Sequence, residues 1–367
     1  MSRLPPLAAL VLAAAAGLSP RSASAIPVFA HRYGMTCQAC HTEVPHLTRF
    51  GEAFLANGYR MPGLKARPAF PVAVRIQLGY SSAAPPADAQ LPRTIVDEVE
   101  FLIGGAVGSR GSYWTELYAV DGGRVGRARD VWAGWRATPL GARVPVTIRA
   151  GQMTLPLPVD PETFRETTDH YAIWDQTAGE NPFTFFEPKI GAEIALGDSQ
   201  RGLSGTVSLL AGHDPGSGLP THGRDTFAAL QHAAGEFTVN VYRYDGSRRL
   251  RGADDRFWRT GYGVGWERRR TRVDAVYQSG NDTSAGTFGE ALQTSGGFVQ
   301  VRQALGDRTF ALARWDATQG TAFARAFIYG AGCRLSRNTR LTLFDTAQRA
   351  PGGATQHVIS SSLLLAL

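Results

Sequence analysis

Cysteine, lysine and long apolar runs are all scarce in this chain, and each scarcity removes a class of protein. Only three cysteines occur in 367 residues, Cys37, Cys40 and Cys333, too few for a disulfide framework. Lysine is found only at Lys65 and Lys189, so scattered arginines carry most of the formal net charge of +7. A nucleic-acid site needs such charge clustered on one face, so no nucleic-acid partner is expected. Beyond the first 18 residues no apolar run reaches the about 18 residues of a membrane-spanning helix, and mean hydropathy is −0.16. Gly-rich phosphate loops, a Ser-His-Asp order and paired catalytic carboxylates are likewise missing.

What is present begins with an export signal. Arg3 precedes an apolar core from Leu7 to Leu18, and Ala23-Ser24-Ala25 forms a cleavage site, so residues 1–25 read as a signal peptide. Its removal takes Arg3 and Arg21 and no acid, which lowers the formal charge to +5. The pentapeptide Cys37-Gln38-Ala39-Cys40-His41 then has the spacing of a c-type haem attachment signature. Two intervening residues curl the backbone so that both thiols reach one porphyrin edge, and the next residue offers an imidazole to the iron. A redox-active dithiol would need a βαβ context and a zinc site a second ligand pair, and neither is visible. One covalent haem c is therefore expected on Cys37 and Cys40, with His41 as proximal ligand. Cys333 is expected to be a small, inert strand residue.

Residues 26–69 read as one haem module. Thr42-Glu43-Val44-Pro45 predicts a helix start with Pro45 at the first helical position. Leu47, Phe50, Ala53 and Phe54 follow at helical spacing, and Gly58 closes the helix. That stripe, with Phe50, Phe54 and Tyr59, is expected to pack on the porphyrin or on a barrel wall. Met61 is the first candidate for the sixth iron ligand. His31 is a rival, an open position is a third possibility, and Met35 and His46 lie too near the signature to reach the opposite face readily. About forty residues cannot bury a haem and a core of their own, so the module is expected to plug the barrel from the periplasmic side.

Residues 70–367 predict a transmembrane antiparallel β-barrel of about 16 strands, an all-β fold embedded in outer-membrane lipid. Segments of about ten residues alternate between apolar and polar, as in Phe237-Thr238-Val239-Asn240-Val241 and Arg272-Val273-Asp274-Ala275. Connections after even-numbered strands are short. Those after odd-numbered strands, including residues 82–92, 212–223, 246–255 and 279–290, are mostly longer. Short periplasmic turns and long outer loops are the pattern of bacterial outer-membrane barrels. Residues 152–189 are too long for an ordinary connection; rich in Pro, Phe and Trp, with a short helix predicted over 161–170, they read as a constriction or lid, or else as an ordered surface loop. A soluble β-sandwich or propeller is the bland alternative.

The signal, the Val28-Phe29-Ala30 run, Cys37-x-x-Cys40-His41, Phe50-Gly51, Phe54, Gly58-Tyr59 and the following barrel together resemble the fused outer-membrane cytochrome–porins of iron-oxidising bacteria. The resemblance implies an outer-membrane electron conduit. It would take electrons from extracellular Fe(II) or a small iron chelate and pass them to a periplasmic cytochrome. Cys37, Cys40 and His41 carry over directly, and Met61 by position. The chain departs from the barrel pattern in ending Leu363-Leu364-Leu365-Ala366-Leu367, without a terminal aromatic. Asp97, Glu98, Glu100, Glu116, Asp169 and Asp175 are candidates to attract the ferrous cation, since hard oxygen ligands suit it. Two other classes remain: a diffusion porin whose haem plug is a redox-sensing gate, and a peroxidase-like haem enzyme with His31 and Arg32 over an open iron.

Overall fold

The alternating segments become sixteen strands in the computed structural model, which describes residues 27–43, 46–61, 63–64, 72–83, 96–161, 166–213, 220–320, 324–349 and 353–367. The strands are β1 Val72–Ser81, β2 Glu98–Val107, β3 Gly111–Asp121, β4 Ala128–Arg136, β5 Val146–Met153 and β6 Lys189–Asp198. Next come β7 Arg201–His213, β8 Pro220–Ala234, β9 Phe237–Leu250, β10 Ala253–Arg268 and β11 Thr271–Asp282. The last are β12 Leu292–Ala304, β13 Thr309–Gln319, β14 Ala324–Ser336, β15 Thr339–Arg349 and β16 Thr355–Ala366. A two-residue strand at Arg124–Val125 extends the β3–β4 hairpin. The predicted signal peptide and the boundary at 69/70 lie outside the described residues, as do parts of the outer loops.

Each strand pairs antiparallel with its chain neighbour, and β16 closes on β1 with Leu363 opposite Leu78 and Leu365 opposite Ile76. Closure pairs every strand on both sides, which is what allows a sheet to sit in lipid. Alternation then sorts side chains by face. Val239, Val241, Val264, Val299 and Leu343 are exposed on the outside, whereas Asp225, Arg259, Asp274, Arg314 and Asp316 are buried towards the lumen. Cys333 is an ordinary rung of β14, opposite Thr309 and Leu341.

The parity of the connections holds, but the expected loops are shorter: residues 220–223 open β8 and residues 279–282 end β11. Gly246–Asp255, expected as a loop, continues the ladder: Gly246 pairs Phe257, Arg248 pairs Asp255 and Leu250 pairs Ala253. Only Arg251 and Gly252 turn, with φ of +46° and +88°, the left-handed pair of a tight hairpin. Its polar residues read as loop because their partners come from other strands. Arg248 donates to Asp225 Oδ2 at 2.7 Å and lies over the Phe257 ring at 5.2 Å.

The long β5–β6 connection folds into the lumen rather than over the surface. Its Leu155, Tyr171, Ile173, Trp174, Phe183, Phe185 and Phe186 form one buried cluster with Leu210, Phe227, Tyr242, Tyr244, Phe257 and Phe298 of the wall. Burying this many aromatic and aliphatic groups supplies the loop with a core it lacks alone. Polar ties fix its position. Arg302 Nε donates to Glu166 at 2.7 Å, Arg314 donates to the carbonyls of Asp169 and His170 at 3.1 and 2.8 Å, and Asn181 Nδ2 donates to Asp255 and Asp282 at 3.0 and 2.8 Å. Residues 166–170 are bends and irregular chain rather than helix; residues 162–165 lie outside the described set. Replacing residues 171–186 with a short Gly-Ser link is therefore expected to raise ion conductance in planar bilayers several-fold. Unchanged conductance would mean that this loop is not what fills the pore.

Candidate functional site

The N-terminal segment forms three short helices, α1 Pro27–Tyr33, α2 Cys37–Cys40 and α3 Arg49–Ala56. The signature turn is α2, and the chain then runs extended, with His41–Glu43 paired to His46–Leu47. The helix expected to start at Pro45 starts four residues later, because Thr48 is the better cap. Its Oγ1 accepts from Gly51 N at 3.1 Å and donates to Ala39 O at 2.8 Å, so one hydroxyl ties α3 to the signature turn. Val44 and Pro45 lie outside the described residues.

Contact between α2 and α3 requires glycine at 51. A Cβ there would stand 2.2 Å from Cys40 O, closer than backbone can approach. At the other end Gly58 adopts φ +64° and Tyr59 φ +61°. Gly58 N donates to Leu55 O at 2.9 Å and Tyr59 N to Phe54 O at 3.0 Å, the paired bonds of a Schellman cap with its usual apolar contact. Here that contact is Phe54 against Tyr59, ring centroids 5.9 Å apart. A left-handed tyrosine is strained, and the surrounding rings hold it. Tyr59 stacks on Phe29 at 4.8 Å and on the wall residues Trp114 and Trp132 at 5.8 and 6.4 Å.

The segment docks at the short-turn end of the barrel. Arg60 donates to the carbonyls of Val107, Gly108 and Gly111 around the β2–β3 turn. Arg49 donates to Gly235 O in the β8–β9 turn at 2.8 Å, Arg136 donates to Asn57 Oδ1 at 2.7 Å, and Glu52 accepts from Gln200 of the β6–β7 connection. Three turns and the end of β4 are bridged by one module, which therefore plugs the mouth.

Between plug and wall lies a cavity of about 440 Å³, within the usual range for a small-molecule or cofactor site. Cys40, His41, Met35 and Met61 all line it, with Phe29, Tyr33, Phe54 and Tyr59. Trp114, Trp132 and the ion pairs Arg75–Glu100 and Arg149–Glu193 line the barrel side. Thr154, Leu155, Pro156 and Asp160 of the lumen loop close the remaining face. His41 is 8 % exposed. An imidazole, two thioethers and a thiol facing one aromatic-walled space are a donor set suited to haem c iron and its thioether attachment, so the residues present fit that group.

The sequence expectations fare unequally here. Cys40, His41, Phe54, Tyr59 and Met61 meet at the cavity, and Cys37 opens α2 beside them. Phe50 does not join them: it is 43 % exposed and faces a separate groove with Arg49, Ala53 and Arg201, because α3 turns its Gly51–Phe54 side inward. Met35, judged too near the signature, does line the cavity. His31 lies on α1, and Arg32 reaches towards Gly105 on β2 rather than into the cavity. Trp114 and Trp132 had no distinguishing sequence signal, since they are ordinary alternating strand residues. Most of the carboxylates expected to draw a cation are already engaged. Glu100 and Glu98 face Arg75, Asp97 accepts from Gln77, Asp169 accepts from Thr346 and Asp175 meets His170; Glu116 lines the cavity. Among the described residues no cluster of three His, Cys, Asp or Glu is placed to hold a metal ion.

No protein-family model matches the chain, and no curated protein matches it. Solved structures do. The anion-selective porin from Comamonas acidovorans superposes with a TM-score of 0.59 at 9 % identity, covering 81 % of this chain and 98 % of that one. OmpF of Salmonella typhi gives 0.58 at 11 %, covering 81 % and 97 %. The outer-membrane protein OmpT of Vibrio cholerae gives 0.54 at 9 %, covering 81 % and 98 %. The chain thus has the 16-stranded fold of outer-membrane porins, with a plug added at the short-turn mouth.

Two consequences are testable. Gly51→Ala is expected to push α3 off the signature turn, seen as protease sensitivity of residues 27–61 with the barrel intact; unchanged resistance would refute that close contact. Burial pushes the Glu52 carboxyl up to about 7 from its usual 4.5. Between those values the docked plug keeps a proton that the undocked plug releases, so docking weakens as pH rises through that window. Glu52→Gln should flatten this dependence in hydrogen exchange of α3.

Proposed function

We propose that this chain is an outer-membrane monohaem electron conduit, of the kind its resemblance to the fused cytochrome–porins implies. It follows export through a cleaved signal, with the short-turn end in the periplasm. The observation that carries the reading is the convergence of Cys40, His41 and Met61 on one aromatic-lined cavity against the inner barrel wall. Cys37 and Cys40 would hold the haem covalently, and His41 and Met61 would be its iron ligands. Bound there, a haem supplies a one-electron Fe(III)/Fe(II) couple, and a His/Met pair raises its potential.

The chain's own residues do the rest. Gly51 and Thr48 fix the signature turn, the Phe54 and Tyr59 rings exclude water, and Arg60 locks the plug to the β2–β3 turn. A bilayer core of about 30 Å is too thick for one redox centre to cross by itself. The donor, Fe(II) or a small chelate, must therefore approach through the outer loops, and a periplasmic cytochrome must dock at the plug. A second reading, a diffusion porin gated by the plug, draws on the porin fold itself. The aromatic cluster that fills the lumen weighs against free diffusion.

Mass spectrometry of the mature protein is expected to show one covalent haem, lost in Cys40→Ser. Mixing with Fe(II) in a stopped-flow instrument should reduce that haem within seconds. Met61→Ala should open the iron to carbon monoxide in the ferrous form, while Met35→Ala should not. A haem-bearing protein that Fe(II) leaves oxidised would remove the iron reading, and conductance that follows oxidation state would favour the gated porin.

A further inference from the structure

The short-turn face carries a ring of exposed arginines with few carboxylates among them. Arg110 and Arg143 are exposed on the β2–β3 and β4–β5 connections, Arg201 at the start of β7, and Arg49 on the plug itself. Arg268 ends β10, Arg269 and Arg270 form the β10–β11 turn, and Arg308 and Arg337 are exposed on the next two turns at this end. Among the described residues at this end only Glu236, Glu267 and Asp307 have exposed side-chain carboxylates. They partly satisfy Arg268 at 3.2 Å and Arg270 at 3.6 Å, leaving a formal excess of six positive charges. Inside this ring the plug presents apolar groups to water: Phe50 and Leu55 are each 43 % exposed and Leu64 is 57 % exposed. Leu55 and Ala56 are exposed and also line the cavity, so a single layer of side chains separates the cavity from solvent there.

An apolar centre within an arginine rim is the composition of a protein interface. We propose that this face docks a small acidic one-electron carrier protein, with the electron leaving past Leu55 and Ala56 as the carrier is reduced and the plug's redox group is oxidised. This rests on the conduit reading and specifies its partner and exit. Anionic lipid headgroups are a poorer match for the whole rim, because Arg49 sits on the plug, bonded to Gly235 O, inside the ring of turns.

The test uses detergent-solubilised holoprotein with labelled polyglutamate, polylysine as control, and fluorescence anisotropy as readout. Polyglutamate should bind at low salt, and binding should fade once the Debye length falls to about 8 Å near physiological ionic strength. The triple variant R201Q/R308Q/R337Q should bind about fivefold more weakly, as three exposed charge contacts of a few tenths of a kcal/mol each imply. Absence of binding at low salt, or equal affinity in the variant, overturns the proposal. So does a variant that alters only association with phosphatidylglycerol vesicles, which would assign these arginines to lipid. Polyglutamate binding needs no haem, so a haem-free protein would sink the conduit reading while leaving this measurement intact. A haem-bearing protein reduced by Fe(II) that ignores polyglutamate would sink the docking surface alone.

Discussion

A closed ladder of sixteen strands encloses a lumen whose width is set by strand number and tilt, and what occupies that lumen determines the rest of this molecule. Closure satisfies the backbone, but it turns half of every strand's side chains towards a space that their own bulk does not fill. Water would fill it in an open channel. Here two segments of the chain do so, from opposite ends and with different chemistry.

From the long-loop end, the β5–β6 connection brings rings and aliphatic groups, and the wall answers with Phe227, Tyr242, Tyr244, Phe257 and Phe298. From the short-turn end, the N-terminal plug brings a small aromatic stack centred on Tyr59, answered by Trp114 and Trp132. Each segment is too short to bury a core alone, and each borrows the barrel wall. The polar ties are arranged to match: Arg302 and Arg314 seat the loop, and Arg60 seats the plug by donating to carbonyls at a turn. Charged donors to backbone carbonyls are among the stronger hydrogen bonds, so both seats are specified as well as filled.

The barrel was legible in the sequence because its two rules are local. Dyad alternation marks a strand within a few residues, and turn-rich residues mark its end, so all sixteen strands and the parity of their connections could be read in order. Where these two rules misled, the cause was a hydrogen bond or close contact that alternation and turn composition do not encode. Arg248 looked like loop until Asp225 and Phe257 flanked it across the sheet. Pro45 looked like a helix start, but Thr48 could bond both Ala39 and Gly51. Phe50 shared a helical stripe with Phe54, yet Gly51 set which side of α3 meets the signature turn. Met35, Trp114 and Trp132 at the cavity depend on how the plug seats in the wall, which no local pattern encodes.

The two fillings meet at the cavity, and under the proposed conduit reading that meeting bears on how one redox site would serve a thick membrane. Thr154, Leu155, Pro156 and Asp160 belong to the outer loop, yet they line the same space as Cys40 and His41. The loop therefore carries the outer boundary of the cavity deep into the barrel, while α3 leaves only Leu55 and Ala56 on the inner boundary. On the conduit reading, a donor arriving from the long-loop end would meet this loop before the cavity, so its approach would depend on the loop rather than on α3. The loop's hold on the wall depends on buried rings and on Arg302 and Arg314 rather than on the ladder. Rearranging it breaks no strand pairing. The barrel can thus stay rigid while this loop changes position, which an open pore would not need and a sealed core would not allow.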